Sequence, residues 1–81
     1  VFPRPASGMT TMVYQIAAPG LITLEVFDLL GRLMARIENR WRTPGQYQVR
    51  WTPGSALPNG TYLISLTGTE GRSTQSIELV G

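Results

Sequence analysis

An antiparallel β-sandwich of six or seven short strands, with no long helix, is the fold class that this 81-residue sequence predicts. Three observations carry it. Turn signals punctuate the chain: Ala18-Pro-Gly20, Asp28-Leu-Leu-Gly31, Thr43-Pro-Gly45, Thr52-Pro-Gly54, Pro58-Asn-Gly60 and Gly68-Thr-Glu-Gly71. Pro presets φ for a turn's first corner, and Gly supplies the positive φ that other residues resist. Most gaps between these signals are near the ~8–12 residues expected of short strands in a sandwich or barrel. Between the signals, apolar and polar residues alternate, as they do when one strand face is buried. The apolar positions are rich in β-branched and aromatic residues, which fit a pleated surface.

The elements follow in order. Residues 1–8 hold Pro3, Pro5 and Gly8 and read as an extended lead-in, the end of a linker, with the sandwich spanning 9–81. Met12, Tyr14 and Ile16 form the first stripe, and Ile22, Leu24 and Val26 the second. Residues 29–40 are ambiguous. Leu30, Leu33, Met34 and Ile37 stand at helical spacing, but Gly31 weakens a helix by ~1 kcal/mol. A strand over 33–38, with irregular pairing after a turn at 28–31, suits its surroundings better. Tyr47, Val49 and Trp51 alternate with Gln48 and Arg50, and residues 52–60 read as a loop crossing between sheets. Tyr62, Ile64 and Leu66, then Ile77 and Leu79, supply the last stripes. The expected core is Tyr14, Leu24, Val26, Val49, Trp51, Tyr62, Ile64 and Leu66.

Composition narrows the function. At 42% hydrophobic the chain supports a core and is no disordered tail. A domain this short buries only ~60–65% of its unfolded surface, so stability is marginal. No apolar run approaches the ~20 residues of a membrane-spanning helix. The opening residues lack the apolar stretch of a signal peptide and an initiating Met, so the chain reads as cut from a longer one. Cys, His and Lys are all absent. That removes disulfides, thiolate nucleophiles, thiolate zinc sites and the commonest general base. Seven Arg against five acids leave a net charge of +2, too little for binding driven by phosphate neutralisation. A module without catalysis, cofactor, metal or nucleic acid is expected.

Six segments in order carry a family resemblance. They are Phe2-Pro-Arg-Pro-Ala-Ser-Gly-Met-Thr-Thr11, Met12-Val-Tyr-Gln-Ile16, Pro19-Gly followed by Thr23-Leu-Glu-Val-Phe-Asp-Leu-Leu-Gly-Arg32, Pro44-Gly-Gln-Tyr-Gln-Val-Arg-Trp51, Leu57-Pro-Asn-Gly-Thr-Tyr-Leu-Ile-Ser-Leu66, and the closing 72–80. Together they resemble the C-terminal sorting domain of the type IX secretion system of Bacteroidetes and related phyla. The family's opening Pro-Asn-Pro stands here as Pro3-Arg4-Pro5, and Glu78 replaces an apolar or basic residue of its closing strand. The immunoglobulin-like domain of flagellar hook-capping proteins shares part of the pattern.

The resemblance implies an immunoglobulin-like β-sandwich, monomeric, carried behind an N-terminal cargo domain. Its implied partners are an outer-membrane secretion translocon and a surface sortase-like protease. Its implied route is the periplasm in transit, then the cell surface or the extracellular space. The motif positions it carries over as contacts are Pro3, Pro5, Asp28, Gly31, Gly60, Tyr62, Ile77, Leu79 and Val80. The terminal strand, with unpaired backbone groups at its edge, is the expected direct contact.

Each residue also has a plainer reading. Asp28 and Gly31 suit turn chemistry, an Asp side chain bonding nearby N–H groups and a Gly at positive φ. Trp51 suits a buried core position. Phe27, opposite in face to Leu24, and Trp41, in an Arg40-Trp41-Arg42 loop, are the candidate exposed aromatic contacts. Trp41 more often covers one end of a sandwich. Glu25, Glu38, Glu70 and Glu78 read as solvated faces. Two other functions compete: a carbohydrate-binding accessory module of a secreted glycoside hydrolase, which a coplanar pair of exposed aromatics would favour, and a structural immunoglobulin-like spacer.

Overall fold

The computed structural model describes residues 2–6, 9–53 and 57–79, the first group by its backbone alone. Seven strands form over these residues: β1 (Phe2–Ala6), β2 (Met9–Ile16), β3 (Gly20–Phe27), β4 (Leu33–Arg42), β5 (Gly45–Trp51), β6 (Gly60–Gly68) and β7 (Gly71–Leu79). They make two antiparallel sheets, ordered β1-β2-β5 and β4-β3-β6-β7. β1 pairs with β2, β3 with β4 and β6 with β7 as consecutive antiparallel strands within a sheet. The chain changes sheet after β2, β4 and β5. This is an immunoglobulin-like β-sandwich. Its fourth strand lies beside the third, where an antibody constant domain places it in the opposite sheet.

Alternation explains the core. Met12 and Tyr14 of β2 face Ile22, Leu24 and Val26 of β3, Tyr62 and Ile64 of β6, and Ile77 and Leu79 of β7, all buried. Four strands supply these residues: β2, β3 and β6, each with a neighbour on both sides, and the edge strand β7. Val49, Trp51 and Leu66, expected in the core, are only half-buried against it. Val49 and Trp51 lie on β5, an edge strand with one open flank. Leu66 pairs with Ser73, whose small side chain covers little of it.

Two segments expected outside the strand pattern, an extended lead-in and a loop, are strands. The lead-in is β1, with Pro3 opposite Met12 and Pro5 opposite Thr10. Proline is tolerated there because β1 is an edge, where a missing N–H need not break the ladder. Arg40, Trp41 and Arg42 continue β4, which pairs with β3 as far as Gly20 opposite Arg42.

The helical spacing in 30–37 has another cause. The β3–β4 register slips between Leu24 and Glu25 and again between Val26 and Phe27, skipping Ile37 and Met34. Each bulge adds a residue to β4 and resets its alternation. Met34, Ala35 and Ile37 therefore all pack against the core although they do not alternate. No helix of the described residues is long and apolar enough to cross a membrane.

Leu24 lies in the middle of β3, an inner strand of the four-stranded sheet, fully buried and flanked by Glu38 and Leu66. Leu24→Ala should cost ~2–5 kcal/mol by transfer plus cavity. A thermal unfolding scan should show a loss of about eight degrees or more at ~4–8 °C per kcal/mol for a domain of this size.

Candidate functional site: the β3–β4 turn end

Strand directions sort the links between two ends of the sandwich. One end holds the β2–β3 and β4–β5 links and the β6–β7 hairpin. The other holds the β3–β4 turn, the β5–β6 link and the last residues of β7, where Leu79 pairs with Gly60. Asp28, Gly31, Gly60, Tyr62 and Leu79 all gather at this second end.

Asp28 builds the turn. Its Oδ1 accepts the Leu30 and Arg32 amides, both at 2.9 Å, and its Oδ2 accepts Arg32 Nε at 2.6 Å. Backbone bonds add to this: Asp28 N–H donates to the Arg32 carbonyl, and Gly31 N–H to the Asp28 carbonyl. Gly31 closes the corner at φ +85°, a left-handed conformation that a Cβ would strain. The Arg32 amide above all, then the Arg32 guanidinium and the Leu30 amide, hold the Asp28 carboxyl below its ordinary pKa, outweighing its partial desolvation. The turn chemistry expected of Asp28 and Gly31 is what the geometry shows.

Tyr62 anchors the neighbouring corner. Its ring is buried, and its hydroxyl donates to the Pro58 carbonyl at 2.7 Å. A tyrosine at the start of a strand, bonded back to the backbone a few residues upstream, is a recurrent corner device of immunoglobulin-like sandwiches. Between this corner and the β3–β4 turn lies a depression of about 320 Å³, lined by Asp28, Leu29, Leu30, Met34, Pro58 and Tyr62 among others.

The remaining motif positions serve other tasks. Ile77 and Leu79 face inward and are buried, so β7 offers a partner its edge and its outward residues. Pro3 and Pro5 lie on the β1 edge, and Val80 lies outside the described residues. Phe27 is half-buried, with the Arg72 guanidinium 5.4 Å from its ring centroid and Arg72 Nε bonded to the buried Ser65 hydroxyl. Trp41 is 63% exposed and covers no end of the sandwich. It pairs with Leu21, whereas Phe27 lies six residues further along β3, roughly 20 Å away. The two aromatics form no common platform for a sugar.

Two features escaped the sequence. Leu29, Leu30 and Leu33 are 65%, 79% and 49% exposed at the turn. The signal was present: Asp28 and Gly31 bracket a leucine pair, and a turn tip points at solvent. The second is a polar clasp at the β4–β5 side. Tyr14 Oη donates to Glu38 Oε1 at 2.8 Å, and Arg42 donates to the same oxygen at 3.1 Å. The Arg42 guanidinium lies 4.3 Å over the Tyr47 ring, which stacks on Tyr14 at 5.6 Å. Burial, then the Glu38 carboxylate, raises the Tyr14 pKa. Glu38 is therefore an inter-sheet bridge, not the solvated residue expected of it. Glu25 is likewise engaged, accepting Arg36 at 3.1 Å. Glu78 and Glu70 are exposed, Glu78 accepting the Thr61 hydroxyl. Among the described residues no three His, Cys, Asp or Glu side chains are grouped to hold a metal ion.

The model of one protein family, the secretion system C-terminal sorting domain, matches residues 1–79. This chain belongs to that family. It is a sorting signal for type IX secretion, with export to the cell surface or beyond as its outcome. The family is not a catalytic one, and membership implies interaction with the secretion machinery and attachment to an N-terminal cargo. No curated protein and no solved structure matches the chain. The sorting domain's match covers all seven strands, so the turn, the tyrosine corner and the buried stripes all lie inside it.

Two measurements check this geometry. Tyr62→Phe should cost ~0.5–1.5 kcal/mol by removing one net hydrogen bond while keeping the ring, read by chemical denaturation. For Asp28, a carboxyl held below its ordinary value of 3.8 contributes stability that is fully present above that pH. The contribution is lost as pH falls through the lower folded value. Asp28→Asn should therefore flatten the acid limb of the stability–pH curve below about pH 4.

Proposed function

We propose that the sandwich acts as a folded address. A secretion translocon in the outer membrane recognises it from the periplasm, and the cargo joined to its N-terminal side crosses with it. A sortase-like protease at the surface then removes the domain, leaving the cargo released or anchored. The domain performs no chemistry, binds no nucleic acid or cofactor, and works as a monomer. One observation carries the reading: the family match spans every strand of the sandwich instead of a short terminal tag. A signal distributed over seven strands exists only once they are assembled. The side chains at motif positions Tyr62, Ile77 and Leu79 point into the core, and so act on a partner through the fold they hold.

The test is a periplasmic reporter fused ahead of the domain in a host competent for type IX secretion. The wild-type domain should carry the reporter to the surface or the medium. Leu24→Ala should lower export in step with its loss of folded population, and removal of 73–80 should abolish it. A reporter that stays in the periplasm, while the fused domain is folded and the host exports its own cargo, would overturn the reading.

A further inference from the structure

We infer that the leucine tip of the β3–β4 turn, Leu29 and Leu30 with Leu33 beside them, is where the folded address docks on the secretion machinery. The inference rests on the sorting reading above. Four observations converge on it. The tip exposes three large aliphatic side chains, 65%, 79% and 49% accessible, at a position where turn chemistry favours polar residues. Those side chains stand on a turn closed by five hydrogen bonds within residues 28–32, so the tip is ordered before it meets a partner. Preorganisation of this kind lowers the entropic cost of binding. Beside the tip lies the 320 Å³ depression reaching to Tyr62, which gives a partner a concave seat next to an apolar knob. Finally, β1 runs from Phe2, opposite Val13, down to Ala6, opposite Met9. Phe2 thus lies at mid-sheet, and the chain ahead of it heads away from the tip.

Charge defines the occupant further. Asp28 is spent on the turn and on Arg32 Nε, while the Arg32 side chain remains 71% exposed at the rim. The occupant is a protein surface with an apolar centre and hydrogen-bond acceptors or carboxylates at its edge. A second copy of this chain, with the same cationic rim, fits it less well.

The experiment places L29S/L30S in the reporter fusion, with Leu21→Ser as control. Leu21 is 58% exposed at the opposite end of β3. The double variant should keep its unfolding midpoint and lose about ten-fold or more in export, as loss of a central apolar anchor does. Leu21→Ser should export normally. If the double variant folds poorly, Leu30→Gln alone, at the most exposed of these positions, should show the same export loss with the turn intact. Wild-type export from either folded tip variant overturns the inference and leaves the sorting reading standing. Failure of the wild-type fusion overturns both. Self-association of the wild-type domain that L29S/L30S abolishes in sedimentation, with export unchanged, assigns the tip to a second copy and overturns the inference.

Discussion

The Asp28 carboxylate is the constraint from which the rest of one sheet follows. By accepting two amides and a guanidinium it fixes the length and direction of the β3–β4 turn. The turn sets Phe27 opposite Leu33, and the two bulges then bring Met34 and Ile37 toward the core. The same register carries Glu38 to a place opposite Leu24, within reach of Tyr14 on the other sheet. A different turn length would slip β4 and turn its apolar residues to solvent. Display of the leucine tip and closure of the sandwich thus depend on one short acidic side chain.

The clasp answers a problem of size. A Cys-free domain of 81 residues has no disulfide to staple its layers, and β4 and β5 face each other as open edges. Tyr14, Glu38, Arg42 and Tyr47 close that side with hydrogen bonds, a stacked ring pair and a cation over a ring. Arg42 Nε lies buried without a hydrogen-bond partner, which limits the net gain. Shielding by the rings makes the shared Glu38 contact worth more than an exposed ion pair of the same length. Bulges along β4 and prolines in β1 meanwhile make two of the four sheet edges poor templates for a foreign strand.

Much of this architecture was legible because alternation is a direct image of a flat, regular ladder. β2, β3 and β6 obey it, and their inward residues were read correctly from spacing alone. β4 resisted because a bulge adds a residue, and two bulges three residues apart imitate the spacing of a helix face. Trp51 is less buried than its spacing predicts because a sequence shows which face a residue takes, not how far the opposite sheet reaches over it. The Glu38 bridge was hidden for a related reason. It depends on residues 24 positions apart in opposite sheets, and no local pattern marks a carboxylate that meets a tyrosine across a core. At the turn, Asp28 and Gly31 were legible as chemistry, while the exposure of the leucines they bracket became visible only in three dimensions.

The direction of β1 has a mechanical consequence. Load from a cargo ahead of Phe2 enters at mid-sheet, along β1 and directed away from the β3–β4 turn. With the domain held at its turn end, that load pulls β1 along its own axis past β2. The hydrogen bonds of an antiparallel ladder lie perpendicular to the strands. The pull therefore loads all five β1–β2 residue pairs in shear at once, instead of unzipping them one after another. A tether attached in this way resists force as a unit.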